Sequence, residues 1–205
     1  MRIVAAVAVH VLLMAPAVAA QSVGSDSVVY RLAPASRFEA KTGKSGFFSF
    51  AGHEHLIRAR GASGRIVLRP GALQRSSVTV TVAVDSLEVL TPPDTAEIRQ
   101  VTKAMREAVL HADTYHEITF VSTAVAPIDG GFRVLGRLTL VGQTRDVSVD
   151  LVSTPGQDTL RLEGRFPIRQ TDFGITPYRG GPAGIVRVAD RVVLHLIAVA
   201  VRSFD

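Results

Sequence analysis

The chain reads as an all-β protein, an antiparallel up-and-down barrel of about eight strands with one α-helix, and three features of its 205 residues predict this. Most of the sequence alternates apolar and polar residues with period 2, the pattern of a strand with one face on a core. Short turn sequences separate the alternating runs, so neighbours should pair as antiparallel hairpins. One stretch alone, 94–109, switches to helical spacing. A sheet of so many hairpin-linked strands tends to close, because closure removes its exposed edges.

The first twenty residues, "MRIVAAVAVHVLLMAPAVAA", carry one basic residue at Arg2, an apolar run from Ile3 to Met14 and a small-residue end at Ala17, Val18 and Ala19. This three-part layout predicts a secretory signal peptide over 1–20, cleaved after Ala19 or Ala20. The run is too short to favour a stable membrane span. Residues 21–205 amount to one domain, large enough to bury a core without covalent staples. The chain has no cysteine, so neither disulfides nor thiol chemistry is available to it. An exported chain without a membrane span is expected in the periplasm where an outer membrane exists.

Among the predicted strands, "SVTVTVAVD" sets Val78, Val80, Val82 and Val84 on one face and Thr79 and Thr81 on the other. The helix comes next at "PPDTAEIRQVTKAMREAVL", with Ile98, Val101, Met105 and Val109 in a stripe and Asp94 and Glu97 placed as a capping box after two prolines. "GGFRVLGRLTL" then places Phe132, Val134, Leu138 and Leu140 opposite Arg133 and Arg137. "RDVSVDLV" places Val147, Val149 and Leu151 opposite Ser148 and Asp150. "DTLRLEGRFPI" places Leu160, Leu162, Phe166 and Ile168 opposite Arg161, Glu163 and Arg165. The turns are "IDGG", "VGQT" and "TPGQD". In the last strand, "RVVLHLIAVAVR", Val192, Leu194, Leu196 and Ala198 are assigned inward because the opposite set contains Arg191 and His195. No linker or repeat marks a second domain.

The net charge of +5 and isoelectric point near 10.2 come mostly from arginine. These arginines are dispersed along the strands, which reads as a solvated outer face and not as a nucleic-acid surface. Ser45, Ser49, Ser63 and Ser76 lack a nucleophile elbow, and no glycine loop is placed to cradle a phosphate. "PYRGGPAGIV" is glycine-rich but has no helix behind it, so it reads as a loop and candidate lid. No motif implies a cofactor, and the chain is not read as an enzyme.

"FAGHEHLIRA" is the segment with the most pointed chemistry. In a strand His53 and His55 share a side, a spacing that can supply two metal ligands. A third would have to come from His111, His116 or His195, or from Asp85, Asp113 or Glu117. The plainer reading makes the two histidines part of a pocket rim. A metal site or metal-dependent enzyme built on them is the alternative, and no metal is assigned.

Taken in order, "ASGRIVL" with "SSVTVTVAVDSLEV", "AVLHADTYHEITFVSTAV", "GFRVLGRLTLVGQTRDVSVDL", "GRFPIRQTDFGI" and "DRVVLHLIAVAV" resemble the YceI-like family of exported lipid-binding proteins. "GRLTLVGQTRDVSVDL" and "TDFGI" are the most specific pieces. His116 and Val141 depart from the family pattern. The resemblance implies a lipocalin-like barrel whose apolar lumen holds the tail of one isoprenoid or other long-chain amphiphile. On that reading Val80, Val82, Phe120, Leu138 and Leu140 line the lumen with Phe166, Phe173, Leu194 and Leu196, while His53, His55, Arg58, Asp172 and Tyr178 stand at its mouth. Alternation alone leaves open whether the lumen is hollow or packed. Whether the chain forms a homodimer is equally open.

Overall fold

The computed structural model describes residues 27–44, 54–90, 95–180 and 186–204. Strands dominate, as alternation predicts, and they close into an antiparallel barrel of eight staves. Three staves are broken in the middle. β1 (Val28–Leu32) and β2 (Arg37–Lys44) run end to end along the 18-residue β12 (Val186–Ser203), with β1 on its far half and β2 on its near half. β3 (Leu56–Ala59) and β4 (Ala62–Leu68) pair with β2 and β1. β5 (Ser77–Ala83) and β6 (Leu87–Val89) pair in turn with β4 and β3.

The remaining staves are continuous: β7 (Glu117–Ile128), β8 (Gly131–Leu140), β9 (Gln143–Pro155) and β10 (Thr159–Arg169). β5 pairs with β7, and β10 pairs with β12 over its whole length, which closes the barrel. A two-residue strand, β11 (Arg179–Gly180), folds back onto the start of β12. Alternation on the sequence does not reveal the broken staves, because the residues at a break keep their inward faces. Val84 is the example: it lies in a 3-10 turn, Val84–Ser86, and not in the strand, yet only 2% of it is exposed.

Turn chemistry fixes the registers. In the β8–β9 hairpin Leu140 pairs with Gln143, and both intervening residues, Val141 and Gly142, have positive φ, 48° and 68°. That is the geometry of a primed turn, whose backbone twist matches that of the strands it joins.

The predicted helix is present as α1 (Thr95–Ala104) continued by a π turn over Met105–Val109. Asp94, half of the predicted capping box, lies outside the described residues. α1 packs on β6, a strand at the open side of the sheet, and supplies partners for its backbone. The Val89 amide donates to Thr102 Oγ1 at 3.2 Å. Arg106 donates through Nε (3.1 Å) and a terminal nitrogen (2.8 Å) to the Leu87 carbonyl. A strand edge left bare would be a template for wrong pairing, and the helix covers it.

Inward side chains form two buried clusters at opposite ends of the barrel. One, under α1, gathers residues such as Val84, Val89, Met105, Leu140 and Phe173. The other, at the far end, gathers Ile66, Val125, Val134, Leu160 and Ala200 among others. Phe120 and Phe166 pack against both.

Candidate functional site

A cavity of about 530 Å³ runs between the two clusters. Ligand cavities commonly fall in the range of roughly 300–1,000 Å³. Its wall comes from alternate residues of nearly every stave, so period 2 is what makes the lining apolar. Of the nine residues expected in the lumen, eight line it: Val80, Val82, Phe120, Leu138, Leu140, Phe166, Leu194 and Leu196. Phe173 does not. It is 2% exposed and packs into the cluster under α1, because the short 3-10 turn Gln170–Phe173 buries it beside that cluster's other members.

The lumen stays open partly because large side chains lie flat on the wall. Gly136 faces inward on β8, and a β-carbon there would lie 2.6 Å from Cε2 of Phe120 and 2.7 Å from the Val121 carbonyl oxygen. The Phe120 ring therefore occupies space that any side chain at 136 would need. Gly164 is covered in the same way by Leu151, whose Cδ2 would be 2.7 Å from an added β-carbon.

At the α1 end the lining becomes polar, with Thr42, His55, Glu97, Gln100, Gln170, Tyr178 and Arg187. Thr42 and Gln170 are buried, and both are held by backbone. The His55 amide donates to Thr42 Oγ1 at 3.1 Å, and the Thr42 amide donates to the His55 carbonyl at 3.0 Å, which fixes the rim segment ahead of β3. Gln170 Nε2 donates to the Ala189 carbonyl at 2.9 Å, bracing β12 where its pairing with β2 shifts between Val188 and Val192. Beside it, Asp190 accepts from the Thr171 amide and from Thr171 Oγ1, both at 2.9 Å. These bonds, the amide's first, hold the Asp190 carboxyl below the usual carboxylate range.

His55 and Tyr178 of the expected mouth set line the cavity, and Tyr178 is 42% exposed. His53 lies outside the described residues. Arg58 and Asp172 do not line the cavity. Arg58 points to the outer face, because Ile57 and Ala59 on either side of it take the inner one. There it donates to Glu39 Oε1 at 2.9 and 2.6 Å. Asp172 is an exposed residue of the 3-10 turn that buries Phe173. The polar groups of α1 that line the mouth, Glu97 and Gln100, were not legible, because helix faces are read from apolar stripes; Ile98 from that stripe lies in a separate groove against Val89.

Outside the barrel a lateral row of charges crosses neighbouring staves. Arg161 donates to Glu163 at 3.1 Å, Glu163 Oε1 is 3.2 Å from His195 Nε2, and His195 Nδ1 is 3.6 Å from Glu39. The His195 hydrogen bond, with Arg161 behind it, lowers the pKa of Glu163. Among the described residues no three His, Cys, Asp or Glu side chains gather as a metal site. No helix among them is long and apolar enough to cross a membrane.

The fold and its cavity define a class, the closed eight-stranded antiparallel barrel with a hollow apolar interior and a helix at one end. Within that class the chain belongs to the YceI-like domain family, whose sequence profile matches residues 33–200. Similar solved structures include Burkholderia cenocepacia BcnA, with a TM-score of 0.64 and 23% identity over 82% of this chain and 98% of that one. A polyisoprenoid binding domain from Saccharophagus degradans, implicated in plant cell wall breakdown, superposes with a TM-score of 0.59 at 14% identity, covering 85% of this chain and 98% of that one. A YceI protein from Campylobacter jejuni does so with 0.55 at 16%, covering 73% and 85%. At these identities the likeness is one of fold. No curated protein matches the chain.

Proposed function

We propose that this protein is a binding protein, not an enzyme, that holds the apolar tail of one isoprenoid or other long-chain amphiphile in the barrel lumen and sequesters or carries it after export. The observation that carries this reading is the cavity itself, which is continuous, apolar and open at one polar end. A cavity walled by valine, leucine and phenylalanine favours guests by area alone: each buried methylene contributes roughly 0.8 kcal/mol, so ten or more carbons bind with few polar contacts. The described ligand class of the Saccharophagus degradans neighbour points the same way. Residues 1–20, read as a signal peptide, support export and a periplasmic location.

The test is native mass spectrometry of protein purified from an exported preparation without detergent, then denaturation and identification of the released species. A stoichiometric species of lipid mass is the expected result. An apo mass, together with no measurable uptake of an added C20 prenyl alcohol, would refute the reading.

A further inference from the structure

We infer that the β11–β12 ribbon at the mouth of the lumen is an oxyanion site, which takes the phosphate or carboxylate head group of the amphiphile. The inference rests on the lumen reading above and adds the chemical class of the head group.

Arg179 and Arg187 stand directly opposite each other in the register of this ribbon. Both are exposed, and neither makes an ion pair or side-chain hydrogen bond with any described residue. Like charges directly across a strand pair repel. Other arginines on the barrel pair with carboxylates, as in Arg58–Glu39, Arg60–Glu88 and Arg133–Asp150, at 2.6, 2.7 and 2.6 Å, while Arg31 opposite Arg65 and Arg169 opposite Arg191 are further opposed pairs, set along the barrel staves. The Arg179–Arg187 pair is set apart by its place where the cavity opens: Arg187 lines it, and Arg179 directly follows Tyr178, which lines it too. The Val188 amide donates to the Tyr178 carbonyl at 3.0 Å, so the ribbon is braced at the lining.

The acidic groups nearby do not neutralise the pair. Asp190, three residues along β12, is occupied by Thr171. Glu97 reaches the rim from α1, one negative charge against two guanidinium groups. Cross-strand partners lie about 5 Å apart at Cα, close enough for two guanidinium forks to share one oxyanion. Such forks match the planar or tetrahedral oxygens of carboxylate and phosphate better than a hydroxyl, which offers no charge.

Isothermal titration of the purified protein with geranylgeranyl phosphate, geranylgeraniol and inorganic phosphate separates the possibilities. The phosphate lipid is expected to bind about tenfold more tightly than the alcohol at about 0.05 M salt, and less so at about 0.5 M. In an Arg179→Gln, Arg187→Gln variant the ratio should fall to about twofold or less. Arg75→Gln, an exposed arginine in the β4–β5 connection, should keep the full preference. Equal affinity of the wild type for both lipids would overturn the head-group inference and leave the lumen reading standing. Binding of neither would overturn the lumen reading and this inference with it. Inorganic phosphate binding as tightly as the lipid, or Arg75→Gln losing the preference too, would assign the effect to free anion or to net charge and overturn the site.

Discussion

The ring of Phe120 lies against Gly136 of the adjacent strand, where a β-carbon would come within 2.6 Å of its Cε2. The ring cannot keep this position over a larger residue, and the carbonyl of Val121 blocks the same space from the backbone side. Gly136→Ala is therefore predicted to push the ring toward the lumen and strain β7 against β8. We expect a loss of about 1–3 kcal/mol in urea unfolding and a reduced uptake of C20 prenyl lipid. Unchanged stability with unchanged uptake would show that the ring is not held there.

Phe120 and Phe166 are also the two side chains shared by both core clusters, which puts them at the waist of the cavity. Truncating either should destabilise the barrel by roughly 3–5 kcal/mol and lengthen the space available to a tail. A chain-length series of fatty alcohols should then shift its affinity optimum to longer chains in Phe166→Ala. If the optimum stays in place while affinity falls uniformly, the waist does not set tail length.

How much of this was legible in the sequence depended on parity. The β8, β9 and β10 runs alternate without interruption, so spacing alone sets Leu138, Leu140 and Phe166 on the face that lines the cavity. The mouth was harder. The resemblance groups Arg58 there with His55, yet residues three apart along an extended segment face opposite sides, and parity argues against that grouping. Phe173 gave no such signal, since it sits in a 3-10 turn that period 2 cannot describe. Gln170 and Arg187 reach the rim from the turn that braces β12 and from the bulged start of that strand, and tertiary pairing alone brings them there.

Val141 sits at φ 48° in the β8–β9 turn. A β-branched residue pays about 1 kcal/mol or more for that region, which Asn and Gly enter readily. Val141 is only partly buried against the cluster under α1, so the packing it contributes is incomplete. Val141→Asn should raise stability by about 0.5–1 kcal/mol, a melting-temperature gain readable by calorimetry. A lower melting temperature would mean that the apolar contact outweighs the strain.

Acid should loosen the bulge of β12. Because the Asp190 pKa is lowered in the fold, its contribution is complete above the ordinary carboxylate pKa and is lost as pH falls through the folded value. Wild type and Asp190→Asn should differ in denaturant midpoint at pH 6 and converge as pH drops toward about 3. A constant difference across that window would mean the Thr171 bonds do not depend on the charge.

The covering of β6 by α1 supplies the last prediction. The Leu87 carbonyl has two donors from Arg106, and the Val89 amide has Thr102 Oγ1, so the helix stands in for a neighbouring strand along this edge. Arg106→Met keeps the length of the side chain and removes both donors. The barrel wall does not depend on these bonds, whereas the attachment of the helix over the lumen does. Hydrogen exchange should accordingly accelerate in 95–109 and 87–89 while β8, β9 and β10 keep their protection. If α1 also controls entry to the cavity, whose lining includes Val101, Ala104 and Met105, lipid association and dissociation should both quicken in this variant with little change in affinity. Faster exchange without faster lipid kinetics would assign α1 to edge protection alone and place the route into the lumen elsewhere on the rim.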